Sequence, residues 1–131
     1  MKTLLSFLLT ILFISTQAQT AEELAQSQLD AYNNRDIEAF LQPYSDSVKV
    51  YTFPDQFQYQ GKVNMRNGYA SFFANTPELH CKLINRMVMG NTVIDQEEVT
   101  LGKGREPIYA IAIYKIAHKK INEVYFIRKE E

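Results

Sequence analysis

One stretch of the sequence, from Leu29 to Gly61, constrains the fold more than any other. It reads LDAYNNRDIEAFLQPYSDSVKVYTFPDQFQYQG and contains the end of one helix, a second short helix, a strand and a turn. Asp36 is placed to cap the short helix, which runs from Ile37 to Leu41. Pro43 closes that helix because proline cannot continue a helix interior. This spacing predicts a fold in which short helices lead directly into a sheet.

The helices on either side follow from capping and from periodicity. Thr20 followed by Glu23 is a capping box, which predicts the start of a first helix. Its inward face is predicted to carry Leu24, Ala25, Gln28, Leu29 and Tyr32. A third helix is expected from Lys62 until Asn75–Thr76–Pro77 stops it. Its apolar face is predicted to carry Met65, Tyr69, Phe72 and Phe73.

The remaining sequence has the two-residue period of strands. A first strand is predicted around Val48, Val50 and Tyr51, a second from Phe57 to Gln60, and four longer ones follow the third helix. The longer strands are predicted at Leu79–Met89, Thr92–Leu101, Pro107–Ala117 and Ile121–Ile127. A curved, mainly antiparallel sheet wrapped around helices makes an α+β cone with an open mouth.

The Gly90–Asn91 loop between the first two long strands suits a type II′ hairpin and so predicts their register. One face is predicted to pair Val88 with Val93, Arg86 with Asp95 and Ile84 with Glu97. The other face is predicted to pair Met87 with Ile94, Asn85 with Gln96 and Leu83 with Glu98. We expect the first face to point outward, where Arg86 and Asp95 form a surface ion pair, and the second to point inward.

The N-terminal segment is typical of a targeting sequence. Lys2 precedes an apolar run from Leu4 to Ile14, and small residues follow up to Ala18. The run is shorter than the roughly 20 apolar residues that span a bilayer, so we predict a signal peptide at residues 1–18. A retained anchor or a buried helix is the alternative. Residues 19–131 are then a single exported domain with no membrane span.

Composition excludes several classes of function. The formal net charge is −1 and the basic residues are scattered, which argues against nucleic acid and anionic membranes as partners. His80 and His118 have no third metal ligand nearby, and no phosphate loop or dinucleotide motif is present, so we expect no metal and no cofactor. The single cysteine, Cys81, is more typical of a small apolar filler in a strand than of a reactive thiol.

Several of these segments also carry a family resemblance. LDAYNNRDIEAFLQPYSDSVKVYTFP, YQGKVNMRNGYASFF and NRMVMGNTVIDQE, with the closing IYAIAIYKI and KKINEVYFI strands, resemble the nuclear transport factor 2-like superfamily. The similarity is greatest to its SnoaL-like branch, whose members include steroid Δ-isomerase-like proteins. The resemblance implies a cone-shaped NTF2-like domain, but it does not imply one reaction, since the superfamily includes isomerases, cyclases, dehydratases, hydrolases and binding modules.

The resemblance can be tested against the ketosteroid isomerases. Those enzymes need a carboxylate base, a tyrosine and a protonated aspartic acid in one apolar pocket. Aligned on Asn33 and Asp36, the base position falls on Thr52 and the tyrosine position on Gln28. The second hydrogen-bond donor, aligned through Tyr114, falls on Ala112. The isomerase groups are absent, so the isomerase reaction is not expected here.

The same alignment retains a pocket. Its predicted lining is Gln28, Thr52, Phe53, Tyr69, Phe72, Asn85, Met87, Ile94, Gln96 and Ala112. An apolar cone with a few neutral polar groups suits a small apolar ligand that carries one or two polar groups. The alternatives are an enzyme of the same fold acting on a small apolar carbonyl compound, with Glu98 or a bound water as base, and a protein interaction domain.

Relatives of this fold commonly pair through the outer face of the sheet, which here implies a homodimer. On the predicted face assignment, that outer strip is Ile84, Arg86, Val88, Val93, Asp95 and Glu97.

Overall fold

The structure is a computed structural model that describes residues 17–129. The predicted signal peptide therefore lies almost wholly outside the described residues and stays a prediction. In chain order the elements are α1 (Ala21–Asn34), α2 (Ile37–Leu41), β1 (Tyr44–Thr52), β2 (Gln56–Gln60), α3 (Lys62–Asn75), β3 (His80–Met89), β4 (Thr92–Thr100), β5 (Ile108–Ala117) and β6 (Lys120–Arg128). The predicted α+β cone of three helices packed on a curved sheet is confirmed.

The helix boundaries agree with the capping signals. The Thr20 hydroxyl accepts a hydrogen bond from the Glu23 amide, and the Glu23 carboxylate accepts one from the Thr20 amide, so the capping box is complete. The Asp36 carboxylate accepts from the Ala39 amide at the start of α2. Because α1 and α2 are separated only by Arg35 and Asp36, the chain reverses direction sharply between them, and Arg35 adopts the left-handed conformation that this turn requires.

The six strands form one mixed sheet in the order β2-β1-β6-β5-β4-β3. All neighbouring strands are antiparallel except β1 and β6, which run parallel. The turn between β3 and β4 has Gly90 at φ 57°, as a type II′ hairpin needs. The predicted pairs Val88–Val93 and Asn85–Gln96 are both present.

The far end of that hairpin departs from the predicted register. A bulge lies between Leu83 and Asn85, so Leu83 is opposite Glu97, and Ile84 has no partner. The extra residue shifts the pairing by one position. The predicted pairs Ile84–Glu97 and Leu83–Glu98 are therefore wrong.

The predicted assignment of the two sheet faces is also wrong. Val93, Asp95 and Glu97 are buried on the concave face beneath the helices. Ile94 and Gln96 point to the convex face. Apolar side chains on both faces made the alternation ambiguous, and the charged residues were expected outside because burying charge is costly. The structure offsets this cost by pairing Asp95 with Arg86.

The concave face and the helices enclose the core. Its largest fully buried side chains include Phe40, Leu24, Met65, Leu79 and Ile121. A cluster of aromatic rings joins the three helices, with Phe40 at 4.5 Å from Tyr69 and Tyr32 at 5.5 Å from Phe73 between ring centroids. No helix within residues 17–129 is long and apolar enough to cross a membrane.

Candidate functional site

A cavity of about 760 Å³ lies between the helices and the concave face of the sheet. Its buried lining residues, here called the floor, include Gln28, Phe40, Tyr44, Glu97 and Tyr114. Its exposed lining residues, here called the rim, are Thr52, Phe53, Gln58, Gly68, Ile108, Arg128 and Lys129. The volume is within the range of pockets that hold drug-sized ligands.

Gln28 organises the floor from α1. Its side-chain amide donates to the Ala25 carbonyl at 3.1 Å and to the Tyr114 hydroxyl at 2.9 Å. Its amide oxygen accepts from the Tyr44 hydroxyl at 3.1 Å. Both amide hydrogens and the oxygen are thus engaged within the protein. Gln28 therefore holds the two tyrosines in place.

The chain of hydrogen bonds through Gln28 continues to a carboxyl group. Because the Tyr114 oxygen accepts from Gln28, its own proton is free to point toward Oε1 of Glu97, which lies 3.5 Å away in a long hydrogen bond. Glu97 is 7 % exposed and lines the cavity. The chain of donors that begins at Tyr44 ends at a carboxyl group on the cavity wall.

The surroundings of Glu97 favour its neutral form. Burial, followed by the nearby negative charge of Asp95, raises the pKa of Glu97 from 4.5 to about 7. Hydrogen bonds from Cys81 and Tyr114 oppose this rise. Near neutral pH, Glu97 is therefore present both as a carboxylic acid, which can donate a hydrogen bond, and as a carboxylate, which can accept a proton.

Cys81 lies beside Glu97 on the cavity wall. Burial, followed by the negative charges of Glu97 and Asp95, raises the pKa of its thiol far above the usual value. This thiol remains protonated at physiological pH and is a poor nucleophile, which fits the predicted filler role.

Asp95 itself is a structural group. Its side chain is fully buried and accepts from Arg86 at 2.7 and 2.9 Å, a bidentate arrangement. Arg86 also donates to the Gln26 side chain of α1 at 2.8 Å. This buried pair ties the β3–β4 hairpin to α1 and places a fixed negative charge next to Glu97.

Asn33 and Asp36, which form an N-x-x-D motif and anchor the family alignment, have a structural explanation as well. The Asn33 side chain donates to the Cys81 carbonyl at 2.9 Å and accepts from the Cys81 amide at 2.7 Å. It thereby satisfies the backbone hydrogen-bonding groups of Cys81 in β3, which among residues 17–129 is an edge strand with no neighbour on that side. Asp36 caps α2. The motif therefore sets how the helices meet the sheet and is not part of the cavity.

Five of the predicted pocket residues line the cavity: Gln28, Thr52, Phe53, Tyr69 and Phe72. Ala112 lies on the concave face but is fully covered, opposite Asp95. Four others do not line the cavity, because they point to the convex face: Asn85, Met87, Ile94 and Gln96. Their placement in the pocket was the consequence of the reversed face assignment.

Glu98, the weak candidate for a base, also lies outside the cavity. It is opposite Tyr109 on the convex face, where its charge raises the pKa of that phenol. The carboxyl group that faces the cavity is its neighbour Glu97. In the family alignment Tyr114 points inward, and in the structure Tyr114 pairs with Val93. Glu97 is on the same face of β4 as Val93 and Asp95, so it points inward as well.

Comparison with known proteins identifies the family. The family profile of the SnoaL-like domain matches residues 25–124. The chain belongs to the SnoaL-like family. No curated protein matches the sequence significantly.

Solved structures agree on the fold of this SnoaL-like protein. An uncharacterized cystatin-fold protein from Novosphingobium aromaticivorans is 28 % identical, with a TM-score of 0.77 over 84 % of this chain and 99 % of its own. A protein from Kribbella flavida, provisionally assigned as a ketosteroid isomerase, is 18 % identical, with a TM-score of 0.69 over 85 % of this chain and 78 % of its own. One from Jannaschia sp. CCS1, provisionally assigned as a SnoaL-like polyketide cyclase, is 15 % identical, with a TM-score of 0.69 over 83 % of this chain and 85 % of its own.

Proposed function

We propose that this SnoaL-like protein binds a small, largely apolar molecule in its cavity. The observation that carries the proposal is a cavity of 760 Å³ with aromatic and aliphatic walls and one carboxyl group, Glu97, at its floor. Apolar walls stabilise the body of a ligand, and one oriented polar group selects among ligands. A carbonyl or hydroxyl group on the ligand suits Glu97, which can either donate or accept a hydrogen bond near neutral pH.

The residues at the three aligned isomerase positions do not contribute to the proposed binding function. Thr52 is on the rim, Gln28 has all its side-chain hydrogen bonds inside the protein, and Ala112 is covered. None of the three can supply the base or the donors that ketosteroid isomerisation needs. Binding therefore rests on a different set of groups, centred on Glu97.

Gly68 offers a direct test. It lies in α3 and lines the cavity, and a Cβ placed there meets no atom within 4 Å. Gly68→Phe should obstruct the mouth of the cavity without disturbing the packing, and Gly68→Ala is the matched control that leaves it open. We expect ligand recovered with the purified wild type, detected by mass spectrometry, to be present with Gly68→Ala and lost with Gly68→Phe.

A hydrophobic fluorescent dye gives the same test when no ligand survives purification. Gly68→Phe should abolish saturable dye binding while the thermal unfolding transition is retained. Equal dye binding by Gly68→Phe and Gly68→Ala, with both proteins folded, would place the binding elsewhere and contradict the proposal.

A second candidate function is proton transfer on a bound carbonyl compound. The observation that favours it is the pKa of about 7 for Glu97, which leaves part of the population ionised and able to accept a proton at neutral pH. The Jannaschia protein, which shares this fold, is provisionally assigned as a polyketide cyclase. The Tyr44–Gln28–Tyr114 chain would hold the Glu97 carboxylate in a fixed orientation, and the proton that Glu97 accepts from the α-carbon would leave the ligand as an enolate.

Deuterium exchange distinguishes an enzyme from a binding protein. If Glu97 is the base, a bound ketone should exchange its α-hydrogens with D₂O faster as the pH rises through about 7. Glu97→Gln should lose this exchange and Glu98→Gln, on the convex face, should keep it. Exchange at the same rate in both variants would exclude Glu97 as the base.

We also propose that the protein forms a homodimer, but through a different surface from the strip that the sequence predicts. Five members of the predicted strip project from the concave face and so cannot form an outer interface: Arg86, Val88, Val93, Asp95 and Glu97. The apolar residues that the register places on the convex face include Met87, Ile94, Ile111 and Ile113. Beside them, Tyr51 and Tyr125 stack at 4.8 Å between ring centroids. A self-complementary apolar face of this kind is typical of two-fold interfaces.

Export is proposed on the N-terminal sequence alone. Signal cleavage after Ala18 would leave Gln19 first, two residues before α1 begins at Ala21. N-terminal sequencing of the protein recovered from the native cell envelope or medium tests this proposal. Recovery of intact Met1 in the cytosol would contradict it.

A further inference from the structure

The charged residues around the cavity are arranged asymmetrically. Among residues 17–129, three of those that line it carry a formal charge: Glu97 on the floor, and Arg128 and Lys129 on the rim. The rim is therefore cationic, and the one charged group on the floor is acidic. A ligand that enters this cavity meets two different electrostatic environments at its two ends.

Arg128 is the rim cation that faces the cavity. In the register of the sheet, Glu97 is opposite Ala110 and Ala110 is opposite Arg128, so both charged residues project from the same concave row. The small side chain of Ala110 leaves open space between them. Arg128 is near enough to Tyr32 and Tyr69 that its charge opposes the rise in pKa that burial gives to these phenols.

The guanidinium group of Arg128 is available to bind a ligand. Within residues 17–129, no ion pair or hydrogen bond involves its guanidinium. Lys129 differs, because its ammonium lies 5.9 Å from the centroid of the Tyr109 ring on the other side of the sheet. Arginine presents a planar fork of donors that matches a carboxylate.

We propose that the ligand is an amphipathic carboxylic acid, whose apolar body fills the cavity and whose carboxylate binds Arg128 at the rim. This inference rests on the proposed binding function and specifies its ligand class. The opposite orientation is disfavoured, since a carboxylate at the floor would meet Glu97 and the buried Asp95. A cationic head group is disfavoured at the rim by Arg128 itself.

Pyrenebutyric acid and pyrenebutanol test the proposal, because they share an apolar body and differ in the charge of the head group. Their binding can be followed by fluorescence anisotropy. We expect the wild type to bind the acid about tenfold more tightly than the alcohol, the size of one charge-assisted hydrogen bond. Raising the salt concentration should weaken binding of the acid and leave the alcohol unchanged.

Variants assign the preference to Arg128. Arg128→Gln should remove the tenfold preference by weakening the acid only, and Arg128→Lys should keep part of it. Lys49→Gln, which removes the same charge from the convex face of β1, is the matched control and should bind both probes as the wild type does. Binding of pyrenebutanol shows whether each variant retains a folded cavity.

The possible failures are distinguishable. Equal affinity of the wild type for both probes, or an undiminished preference in Arg128→Gln, would overturn the carboxylate assignment and leave the binding function standing. Failure of both probes to bind the folded wild type would contradict the binding function together with the ligand class.

Discussion

Glu97 should make this protein lose stability as the pH rises through the neutral range. Its pKa in the folded state is about 7, whereas its ordinary value is 4.5. The folded state therefore binds the proton more strongly than the unfolded state does. For such a group, stability is fully present below the unfolded pKa and falls until the pH passes the folded pKa. Each pKa unit corresponds to about 1.4 kcal/mol, so the loss is about 3 kcal/mol between pH 4.5 and pH 7.

Urea unfolding of residues 19–131 at several pH values from 5 to 8, followed by tyrosine fluorescence, measures this effect. The Glu97→Gln variant cannot ionise, so its free energy of unfolding should exceed that of the wild type by only about 1 kcal/mol at pH 5 and by about 3 kcal/mol at pH 8. Glu98→Gln, one residue away on the convex face, should follow the wild-type curve. Parallel curves for the wild type and Glu97→Gln would refute the conclusion that burial and Asp95 raise the pKa of Glu97.

Three further predictions concern stability and assembly. Asp95→Asn should cost about 3–5 kcal/mol in thermal or urea unfolding, because it leaves the Arg86 charge buried without its partner; an Arg86→Met, Asp95→Leu double variant should recover most of this loss. Thr20→Ala should cost about 1 kcal/mol by removing the α1 cap, and an unchanged midpoint would argue against the capping box. Ile113→Glu should convert the proposed dimer to a monomer in sedimentation at micromolar concentration; a monomeric wild type would refute the dimer.

The helices could be read from the sequence because their signals are local. Thr20 and Glu23 define the start of α1 by themselves, and Asp36 with Pro43 brackets α2 within a few residues. The Gly90–Asn91 turn fixed the near end of the β3–β4 register in the same way. Each of these signals depends only on residues a few positions apart, so no knowledge of the tertiary structure was needed.

The candidate site could be predicted only in part because the inward face of a strand is a tertiary property. Alternation divides β4 into two sets but does not show which set the helices cover. Ile94 looks like a core residue and Asp95 like a surface residue, yet the partner that makes burial of Asp95 acceptable, Arg86, is on a different strand. The helix residues Gln28, Tyr69 and Phe72 line the cavity, because each follows a buried residue at helical spacing: Leu24 for Gln28 and Met65 for the other two.

The parallel pairing of β1 with β6 has a consequence for how the molecule folds. Strands β3 to β6 follow one another along the chain and pair antiparallel, so short loops can bring them together early. Strand β1 pairs with β6 across most of the domain, with Tyr44 opposite Ile121, and such distant contacts form slowly because a long loop must close first. The hydrogen bond from Gln28 to Tyr114 joins residues 86 positions apart and is a distant contact of the same kind, so the floor of the cavity is completed late. We expect a chain truncated before β6 to fail to enclose the cavity, however well its helices form.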